Sequence, residues 1–189
     1  FDMEEDGTAL NADIYAFLDE SCYNTILPSK DVCYLISDGA GEGSTTPDTF
    51  YTFNHTNGAV TPIGPTGTLN IEAMAYDTVN QIIYTADDDD FGTIDITTGV
   101  FTAINTNMGS LNGAEGSNNI NGLDGMTYDY VNNIIWATER ASSNNNDGLP
   151  DDLLLKIDPI TGMPLANGFG AGIGYLTITT NEHDLDDVA

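Results

Sequence analysis

The chain carries an internal repeat, and this feature constrains its fold more than any other. Residues 71–84 align without a gap with residues 123–136, at an offset of 52 residues (123 − 71), and nearly every apolar, acidic and turn position agrees in type. Self-similarity with a period of this length is the signature of solenoids, propellers and other repeat architectures. The chain is therefore predicted to consist of successive copies of one structural unit.

Each copy has the pattern of a four-stranded antiparallel sheet. Residues 71–76 alternate between two differently lined faces, as a strand does. Residues 77–80 indicate a turn, because Asp bonds to the backbone ahead of it and Asn tolerates a positive φ. Residues 81–85 form a β-branched and aromatic second strand, and 92–96 and 100–104 follow as a third and a fourth. Four consecutive antiparallel strands in about fifty residues predict a propeller blade.

The same signals recur along the chain and set the predicted boundaries. A glycine ends the turn after each third strand, at Gly58, Gly99 and Gly162, where it can adopt the left-handed conformation of a tight hairpin. Residues 185–189 repeat the residue types of 71–75, so a further first strand is expected there. The predicted blades are residues 21–68, 69–120 and 121–180, with 181–189 as the first strand of an incomplete fourth blade and 1–20 left unplaced, apart from a strand of an earlier blade at 14–17.

These units resemble the blades of bacterial secreted β-propellers, a group that includes NHL-like, YVTN-type and lactonase-like repeats. The resemblance rests on first strands that end in Tyr-Asp, at 76–77 and 128–129, and on the Thr-Gly turns after the third strands. It covers residues 21–189 and implies an all-β, β-propeller-like fold of four-stranded antiparallel blades. Blades of this kind serve binding, scaffolding and catalysis alike, so the resemblance implies the fold and no single function.

The charge balance excludes several classes of partner. Lys and Arg number 3 against 30 Asp and Glu, which gives a net charge of −27. Lys and Arg neutralise phosphate charge, so neither nucleic acid nor anionic membranes are expected as partners. The 40% hydrophobic and 9% aromatic content predicts a packed fold. No apolar run approaches the roughly 20 residues that span a bilayer, so we expect no membrane insertion.

The two cysteines, Cys22 and Cys33, lie close together with Pro28 between them. This spacing suits a disulfide across a hairpin, and closing so short a loop would contribute about 3 kcal/mol in the chain-entropy model. Two reduced, buried cysteines are the alternative. A zinc site is not expected, because His55 and His183 are far apart in sequence. The acidic, Lys-poor composition and a disulfide together indicate an extracellular or cell-surface location.

An acidic residue recurs on the first strand of successive copies, at Glu72, Asp124 and Asp186. First strands line the central channel of a propeller, so these carboxylates would point around one axis. Converging carboxylates repel each other unless a cation such as Ca²⁺ joins them or some become protonated. The alternative is that each acid accepts a local backbone hydrogen bond or faces the solvated mouth of the channel.

A second calcium site is predicted in the insertion between the second and third strands of the third blade. Oxygen-bearing side chains alternate there before Gly148, which supplies the sharp bend that a calcium loop needs. The segment resembles the Asp-Gly-x-x-Asp core of thrombospondin type-3 and related bacterial calcium repeats, although Leu154 stands where a further acid is usual. The resemblance implies four ligands: Ser143, Asn145, Asp147 and Asp151. A plain solvated loop is the alternative.

Two smaller features have simple readings. The acidic run 87–90 occupies the corresponding loop of the middle blade and is read as a solvated turn, with a cation site as the alternative. Asn54 begins an Asn-His-Thr glycosylation sequon, a short motif that also arises by chance.

The sequence gives little support for catalysis. Neither histidine stands in a nucleophile motif. A pair of carboxylates is expected in so acidic a chain and therefore does not indicate a glycosidase.

We therefore expect a non-catalytic extracellular propeller module of a bacterial surface or secreted protein, used for assembly or adhesion and stabilised by Ca²⁺. Its partners would be other protein subunits or surface glycans. Closed propellers contain four to eight blades, so we also expect a longer chain or an assembly. The alternatives are a subunit of an extracellular fibre, completed by strand addition between subunits, and a lactonase- or glycosidase-like hydrolase that uses the channel carboxylates.

Overall fold

The computed structural model describes residues 14–17, 33–37, 45–113, 116–120, 122–140 and 152–178. Within these residues the protein is all-β, with three four-stranded antiparallel sheets and one additional hairpin. The described part of the chain contains no helix of the length and hydropathy that crossing a membrane requires. This confirms the predicted all-β class and the four-stranded repeat unit.

Each four-stranded sheet is a meander whose strands pair in chain order. The strands of the first sheet are β1 (Ile14–Phe17), β2 (Cys33–Ser37), β3 (Thr49–Phe53) and β4 (Val60–Pro65). Those of the second are β5 (Ile71–Asp77), β6 (Ile82–Asp87), β7 (Asp90–Ile94) and β8 (Phe101–Asn105). The hairpin β9 (Ser110–Gly113) and β10 (Gly116–Asn119) precedes the third sheet, whose strands are β11 (Gly125–Asp129), β12 (Ile134–Arg140), β13 (Asp152–Ile157) and β14 (Tyr175–Ile178).

The three sheets lie side by side in chain order, with their first strands next to one another. The first strand of the second sheet, β5, contacts both β1 and β11, as the inner strands of adjacent propeller blades do. Two apolar cores fill the spaces between the sheets, one between the first and second and a larger one between the second and third. The sheets do not close into a ring within the described residues.

The hairpin β9–β10 is an addition that the repeat did not predict. It contributes Leu111 to the core between the second and third sheets. Its outer side contacts the last strand of the third sheet, because the Tyr175 hydroxyl donates to the Gly116 carbonyl oxygen at 3.3 Å. The amide of Gly174 also donates to the Asn112 carbonyl oxygen at 2.7 Å. The hairpin therefore braces the third sheet against the second.

The predicted start of the first blade at residue 21 is corrected by the structure. Residues Ile14–Phe17 pair with β2 and form the first strand of the first sheet, and not a strand of an earlier blade. The sequence signal was weak there because the first copy has lost the Tyr-Asp ending of the repeat. The segment 181–189, predicted to begin a fourth blade, lies outside the described residues.

Candidate functional site

Glu72 and Asp124 occupy equivalent positions of the repeat in consecutive sheets, Glu72 at a bulge in β5 and Asp124 directly before β11. The pairing of β5 with β6 skips Glu72, which is the extra residue of that bulge. In the third sheet, Asp124 and Gly125 both lie opposite Thr138 of β12. β5 contacts β11, so Glu72, within β5, and Asp124, directly before β11, belong to neighbouring inner segments of the two sheets.

The structure describes two of the three acids in the predicted channel ring. Glu72 is exposed and Asp124 is half-buried, and each interacts with other residues of the protein. The corresponding bulge position of the first sheet holds Tyr15, and Asp186 lies outside the described residues. Among the residues that the structure describes, no group of three or more His, Cys, Asp or Glu could hold a metal ion. A cation ring therefore stays a prediction that depends on Asp186.

The acidic run 87–90 forms the tight turn between β6 and β7. Asp87 pairs with Asp90, and Asp88 has a φ of 51°. The Asn70 amide donates to Asp87 Oδ1 and its side-chain Nδ2 donates to Asp88 Oδ2, each at 3.0 Å. Burial raises the pKa of Asp87, and the charges of Asp88 and Asp90 raise it further against the opposing hydrogen bond from Asn70. The turn therefore has a structural role and carries a cost in charge repulsion.

The predicted calcium loop lies outside the described residues, together with its four proposed ligands: Ser143, Asn145, Asp147 and Asp151. The strands on either side of the loop are described, and they place two buried carboxylates at its base. Glu139, near the end of β12, is 1% exposed, and Asp152, at the start of β13, is 2% exposed. Both interact with other residues of the protein. Alternation along β12 puts Glu139 on the same face as the buried Ala137, so the position of Glu139 in the strand indicates its burial.

Two covalent modifications were predicted, a disulfide and a glycosylation site, and the structure describes one cysteine of the disulfide and the asparagine of the sequon. Cys33 is buried in β2 and is not a free cysteine, whereas Cys22 lies outside the described residues, so their pairing stays a prediction. Asn54 is exposed in the turn between β3 and β4, and its Oδ1 accepts a hydrogen bond from the Thr56 amide at 2.9 Å. His55 is exposed in the same turn.

An aromatic arrangement joins the first sheet to the second. Tyr34 of β2 stacks on Phe50 of β3, with 5.2 Å between ring centroids. Tyr34 also meets Tyr76 of β5 edge-on, with 6.1 Å between ring centroids. Tyr34 and Phe50 are 7% and 0% exposed. Tyr76 of the second sheet thus completes an aromatic cluster on the face of the first sheet that packs against the second.

The interface between the second and third sheets has a similar aromatic cluster, built from residues at equivalent positions of the repeat. Tyr84 of β6 stacks on Phe91 of β7 at 5.9 Å, and on Tyr128 of β11 at 5.8 Å. Tyr128 is the residue 52 positions after Tyr76. Stacked and edge-on aromatic pairs add about 0.5–1.5 kcal/mol each beyond their burial. The repeated Tyr of the first strand is therefore a packing residue between sheets.

The repeated Thr-Gly turn is the second contact between sheets. A Cβ atom on Gly99 would lie 2.7 Å from the carbonyl oxygen of Gly64 in the preceding sheet. A Cβ atom on Gly162 would lie 2.7 Å from the ring of Phe91 and 2.8 Å from the Cβ of Asn105. The Asn105 side chain also donates to the Gly162 carbonyl oxygen at 3.0 Å. Each turn thus presses against the outer strands of the sheet before it.

On the third sheet, Trp136 takes the position of Tyr84, since the two are 52 residues apart. No further described sheet lies beyond it, and Trp136 remains half-buried. Phe169 meets the indole edge-on, with 5.9 Å between centroids. Lys156 Nζ lies 4.3 Å from the Trp136 ring centroid and 4.7 Å from that of Phe169, and it donates to the Gly168 carbonyl oxygen at 2.9 Å.

This cluster stands beside a shallow groove of about 540 Å³. Phe169 belongs to an insertion, residues 166–174, that interrupts the outer strand between Leu165, bonded to Lys156, and Tyr175, paired with Leu155. The groove is open and combines an indole with a cation and amide side chains. Its lining residues are Asn132, Ile134, Trp136, Lys156, Leu165, Ala166, Asn167 and Gly168. The sequence did not predict this groove, although the single Trp, at a Tyr position of the repeat, lies in it.

No protein-family model and no curated protein sequence matches the chain. Among solved structures, it is similar to the crystal structure of the nidogen/laminin complex, with 12% sequence identity and a TM-score of 0.52 over 90% of this chain and 49% of that chain. It also matches the crystal structure of the tricorn protease, with 17% identity and a TM-score of 0.40 over 82% of this chain and 13% of that chain. The chain therefore spans about half the length of the first of these chains.

Both solved structures contain β-propellers. At this identity the similarity to the nidogen/laminin structure concerns the fold alone, and the TM-score of the second match is too low for an argument. The first match agrees with the stacked four-stranded sheets and supports a propeller-like module.

Proposed function

We propose that the chain is a non-catalytic β-propeller module of a secreted or surface protein, which serves assembly or adhesion. The observation that carries this proposal is the repeated packing between sheets. At each interface an aromatic cluster and a glycine turn contact the preceding sheet. A stack of sheets joined by both contacts at each interface would be held in one arrangement. It therefore holds its hairpin turns at fixed positions, which suits the display of a binding surface.

The proposed location outside the cell is supported by the state of the cysteine, which suits an oxidising compartment. Cys33 is buried and is not a free cysteine, and disulfides persist mainly in secreted and surface proteins. The net charge of −27 keeps such a module soluble but opposes compaction through self-repulsion. Calcium ions bound at the loop 143–151, or between the acids of the first strands, would offset part of this repulsion.

The test separates a binding module from the alternative of a propeller hydrolase. The purified chain is assayed against panels of esters, lactones and glycosides, with calcium and with chelator, and its folding is followed by thermal unfolding. A triple variant, Glu72→Gln with Asp124→Asn and Asp186→Asn, serves as the matched control. We expect cooperative unfolding and no turnover by either protein. Turnover by the native chain that the triple variant loses would establish the hydrolase and overturn the proposal.

A further inference from the structure

The turn between β3 and β4 departs from the repeat at the residue before its glycine. The equivalent turns of the other two sheets have Thr-Gly there, at Thr98 and Thr161, whereas the first sheet has Asn57 followed by Gly58. The Ala59 amide donates to Asn57 Oδ1 at 3.0 Å, and the amides two residues after the threonines donate to their hydroxyl oxygens at 3.4 Å. The asparagine therefore replaces the threonine as an acceptor, but it brings a carboxamide to the turn.

A carboxamide directly before a glycine can react with the backbone. The glycine nitrogen attacks the side-chain Cγ atom, and glycine permits this approach because it has no Cβ atom and adopts many backbone conformations. The bond between Asn57 Oδ1 and the Ala59 amide closes a ring that contains the Gly58 nitrogen, as in other Asx-turns. The same bond draws electron density from Cγ. The turn thus holds an electrophilic carbon and its attacking nitrogen in one small ring.

The surroundings of this turn leave room for the reaction. Asn57 and Gly58 are both exposed, and a Cβ atom on Gly58 would meet no described atom within 4 Å, whereas Gly99 and Gly162 press on the preceding sheet. The Gly58 amide donates to the Asn54 carbonyl oxygen at 2.8 Å, and this bond must open before the nitrogen can attack. Exposed turns open at a low free-energy cost, so the attacking nitrogen becomes available.

A second Asn-Gly pair, in the hairpin β9–β10, is held by packing. A Cβ atom on Gly113 would stand 2.5 Å from the ring of Tyr175. The carbonyl oxygen of Asn112 accepts from the Gly174 amide at 2.7 Å. The backbone on both sides of the reacting nitrogen is therefore fixed against the third sheet. A further pair begins at residue 121, which lies outside the described residues.

The pair in the insertion of the third sheet is held by hydrogen bonds. The Gly168 amide donates to the Leu165 carbonyl oxygen at 2.9 Å, and the Gly168 carbonyl oxygen accepts from Lys156 Nζ at 2.9 Å. Asn167 Oδ1 accepts from the Gly172 amide at 2.7 Å. Because this bond spans five residues, a longer segment must rearrange before the Asn167 side chain can react.

We propose that Asn57 is a site of spontaneous modification, where the chain forms a succinimide and then aspartate or isoaspartate. Water or hydroxide takes the proton of the Gly58 nitrogen, which forms a bond to Cγ of Asn57. The bond from Cγ to Nδ2 breaks, and ammonia leaves with a proton from water. Water then opens the five-membered ring. Attack at the side-chain carbonyl gives aspartate, and attack at the backbone carbonyl gives isoaspartate, which lengthens the backbone by one methylene group.

The modification would change the first sheet in two ways. Either product adds a carboxylate to a chain whose net charge is −27. Isoaspartate also adds a backbone atom between Phe53 and Val60, which pair across the turn. The strand that follows carries Gly64, on which the turn of the second sheet packs. Isoaspartate at residue 57 is therefore expected to loosen the first interface between sheets.

The rate of modification at each Asn-Gly pair tests the proposal. The purified chain, produced without glycosylation, is incubated in mildly alkaline buffer and followed by peptide mapping with mass spectrometry. Each event adds about one dalton, and chromatography separates the aspartate and isoaspartate peptides. We expect Asn57 to convert at least about tenfold faster than Asn112 and Asn167, with isoaspartate among the products. Conversion of either other asparagine at the rate of Asn57, or aspartate as the sole product, would overturn the proposal.

A denaturant control separates the effect of the turn from that of the local sequence. In urea the three glycines lose their contacts, so the three rates should converge. If the ratio of rates were the same in urea as in buffer, the folded turn would have no part in the reaction and the proposal would fail.

Two variants complete the test. Asn57→Thr introduces the residue of the other two turns and should remove the fast event. Gly58→Ala keeps the carboxamide and should slow the event, because a Cβ atom now hinders the attack. A fast event that persists in both variants would place the modification elsewhere and overturn the proposal. The reaction goes beyond the proposed function and does not depend on it, since hydrolase activity would overturn the binding role and leave these rates unchanged.

Discussion

Gly99 of the second sheet lies directly against Gly64 of the first. A Cβ atom on Gly99 would stand 2.7 Å from the Gly64 carbonyl oxygen and 3.2 Å from its amide nitrogen. Real Cβ atoms do not approach a backbone oxygen so closely, and backbone cannot move aside as a flexible side chain can. The contact therefore requires glycine for two reasons, the close approach and a φ of 81°.

Substitution of this glycine separates the two requirements. Gly99→Ala should lose about 1 kcal/mol of unfolding free energy for the left-handed backbone, and a further 1–3 kcal/mol, roughly, for the clash with Gly64. Gly58→Ala has nearly the same φ and open space around it, so it should show only the backbone cost. Urea unfolding at concentrations where the chain is monomeric measures both. Equal losses of unfolding free energy in the two variants would show that the turn at Gly99 does not pack tightly against the preceding sheet.

The aromatic cluster between the second and third sheets should carry much of the stability of that interface. Tyr84 is 7% exposed and stacks on two rings, so Tyr84→Ala should cost about 3 kcal/mol of unfolding free energy. Tyr130 is 73% exposed, and Tyr130→Ala should change it by less than about 0.5 kcal/mol. Thermal or urea unfolding checks the pair. A small loss at Tyr84 would mean that the sheets are held together elsewhere.

The sequence predicted the parts of the fold that local chemistry determines. Strand alternation and the Asp-Asn turns recur at a fixed offset, and the structure has these turns with the bonds expected of them: the Asp77 carboxylate accepts from the Asn80 amide at 3.0 Å and from its side chain at 2.7 Å. The first strand of the first sheet was misplaced because Ile14–Phe17 lacks that turn. Its place is set by pairing with β2, which is a non-local interaction.

The candidate sites were less predictable for the same reason. Glu72 lies in β5 and Asp124 directly before the adjacent strand β11, because the two residues hold the same position of the repeat. The cluster of Trp136, Lys156 and Phe169 depends on how an insertion folds back over its own sheet, and nothing in local spacing predicts that. Buried Asp48 likewise accepts a hydrogen bond from the Ile71 amide at 2.9 Å. No sequence motif predicts this contact between sheets.

The disulfide between Cys22 and Cys33 is testable without any variant. Cys33 is 3% exposed, so reagent access alone would not distinguish a buried thiol from a bonded one. Intact mass after denaturation without reductant should be about two daltons below the mass after reduction. Removal of the bond should cost about 3 kcal/mol of unfolding free energy. Two thiols that label in the denatured, unreduced chain would contradict the prediction.

Two aspartates should respond to pH with opposite signs. Burial raises the pKa of Asp77, but hydrogen bonds from Asn80 and Val79 outweigh it, so the folded pKa lies below the ordinary value of 3.8. Asp77 therefore stabilises the fold above that ordinary value, and the contribution is lost as the pH falls through the folded pKa. Burial and the neighbouring acids raise the pKa of Asp87 above 3.8. Its charge therefore costs stability at neutral pH, and protonation relieves that cost as the pH falls through the raised value.

The two Asn variants measure these signs directly. Asp77→Asn should lower the free energy of unfolding at neutral pH, and the difference from the native chain should shrink below about pH 4. Asp87→Asn keeps an oxygen for the Asn70 amide and should raise it at neutral pH, with a gain that fades on mild acidification. Urea unfolding over a pH series provides the comparison. Parallel pH profiles for the native chain and either variant would contradict the assigned pKa direction.

Calcium should stabilise the fold beyond its effect on ionic strength. An ion that binds only the folded chain raises the unfolding free energy by mass action, by about 2.7 kcal/mol at a hundredfold excess over Kd. The melting temperature should therefore rise in millimolar Ca²⁺ and fall in chelator, relative to Na⁺ at equal ionic strength. Asp147→Asn with Asp151→Asn removes the two carboxylate ligands of the loop, and Glu72→Gln with Asp124→Asn and Asp186→Asn removes the carboxylates of the ring. The variant that abolishes the calcium-specific shift identifies the site, and identical melting curves in calcium and chelator for the native chain would exclude both sites.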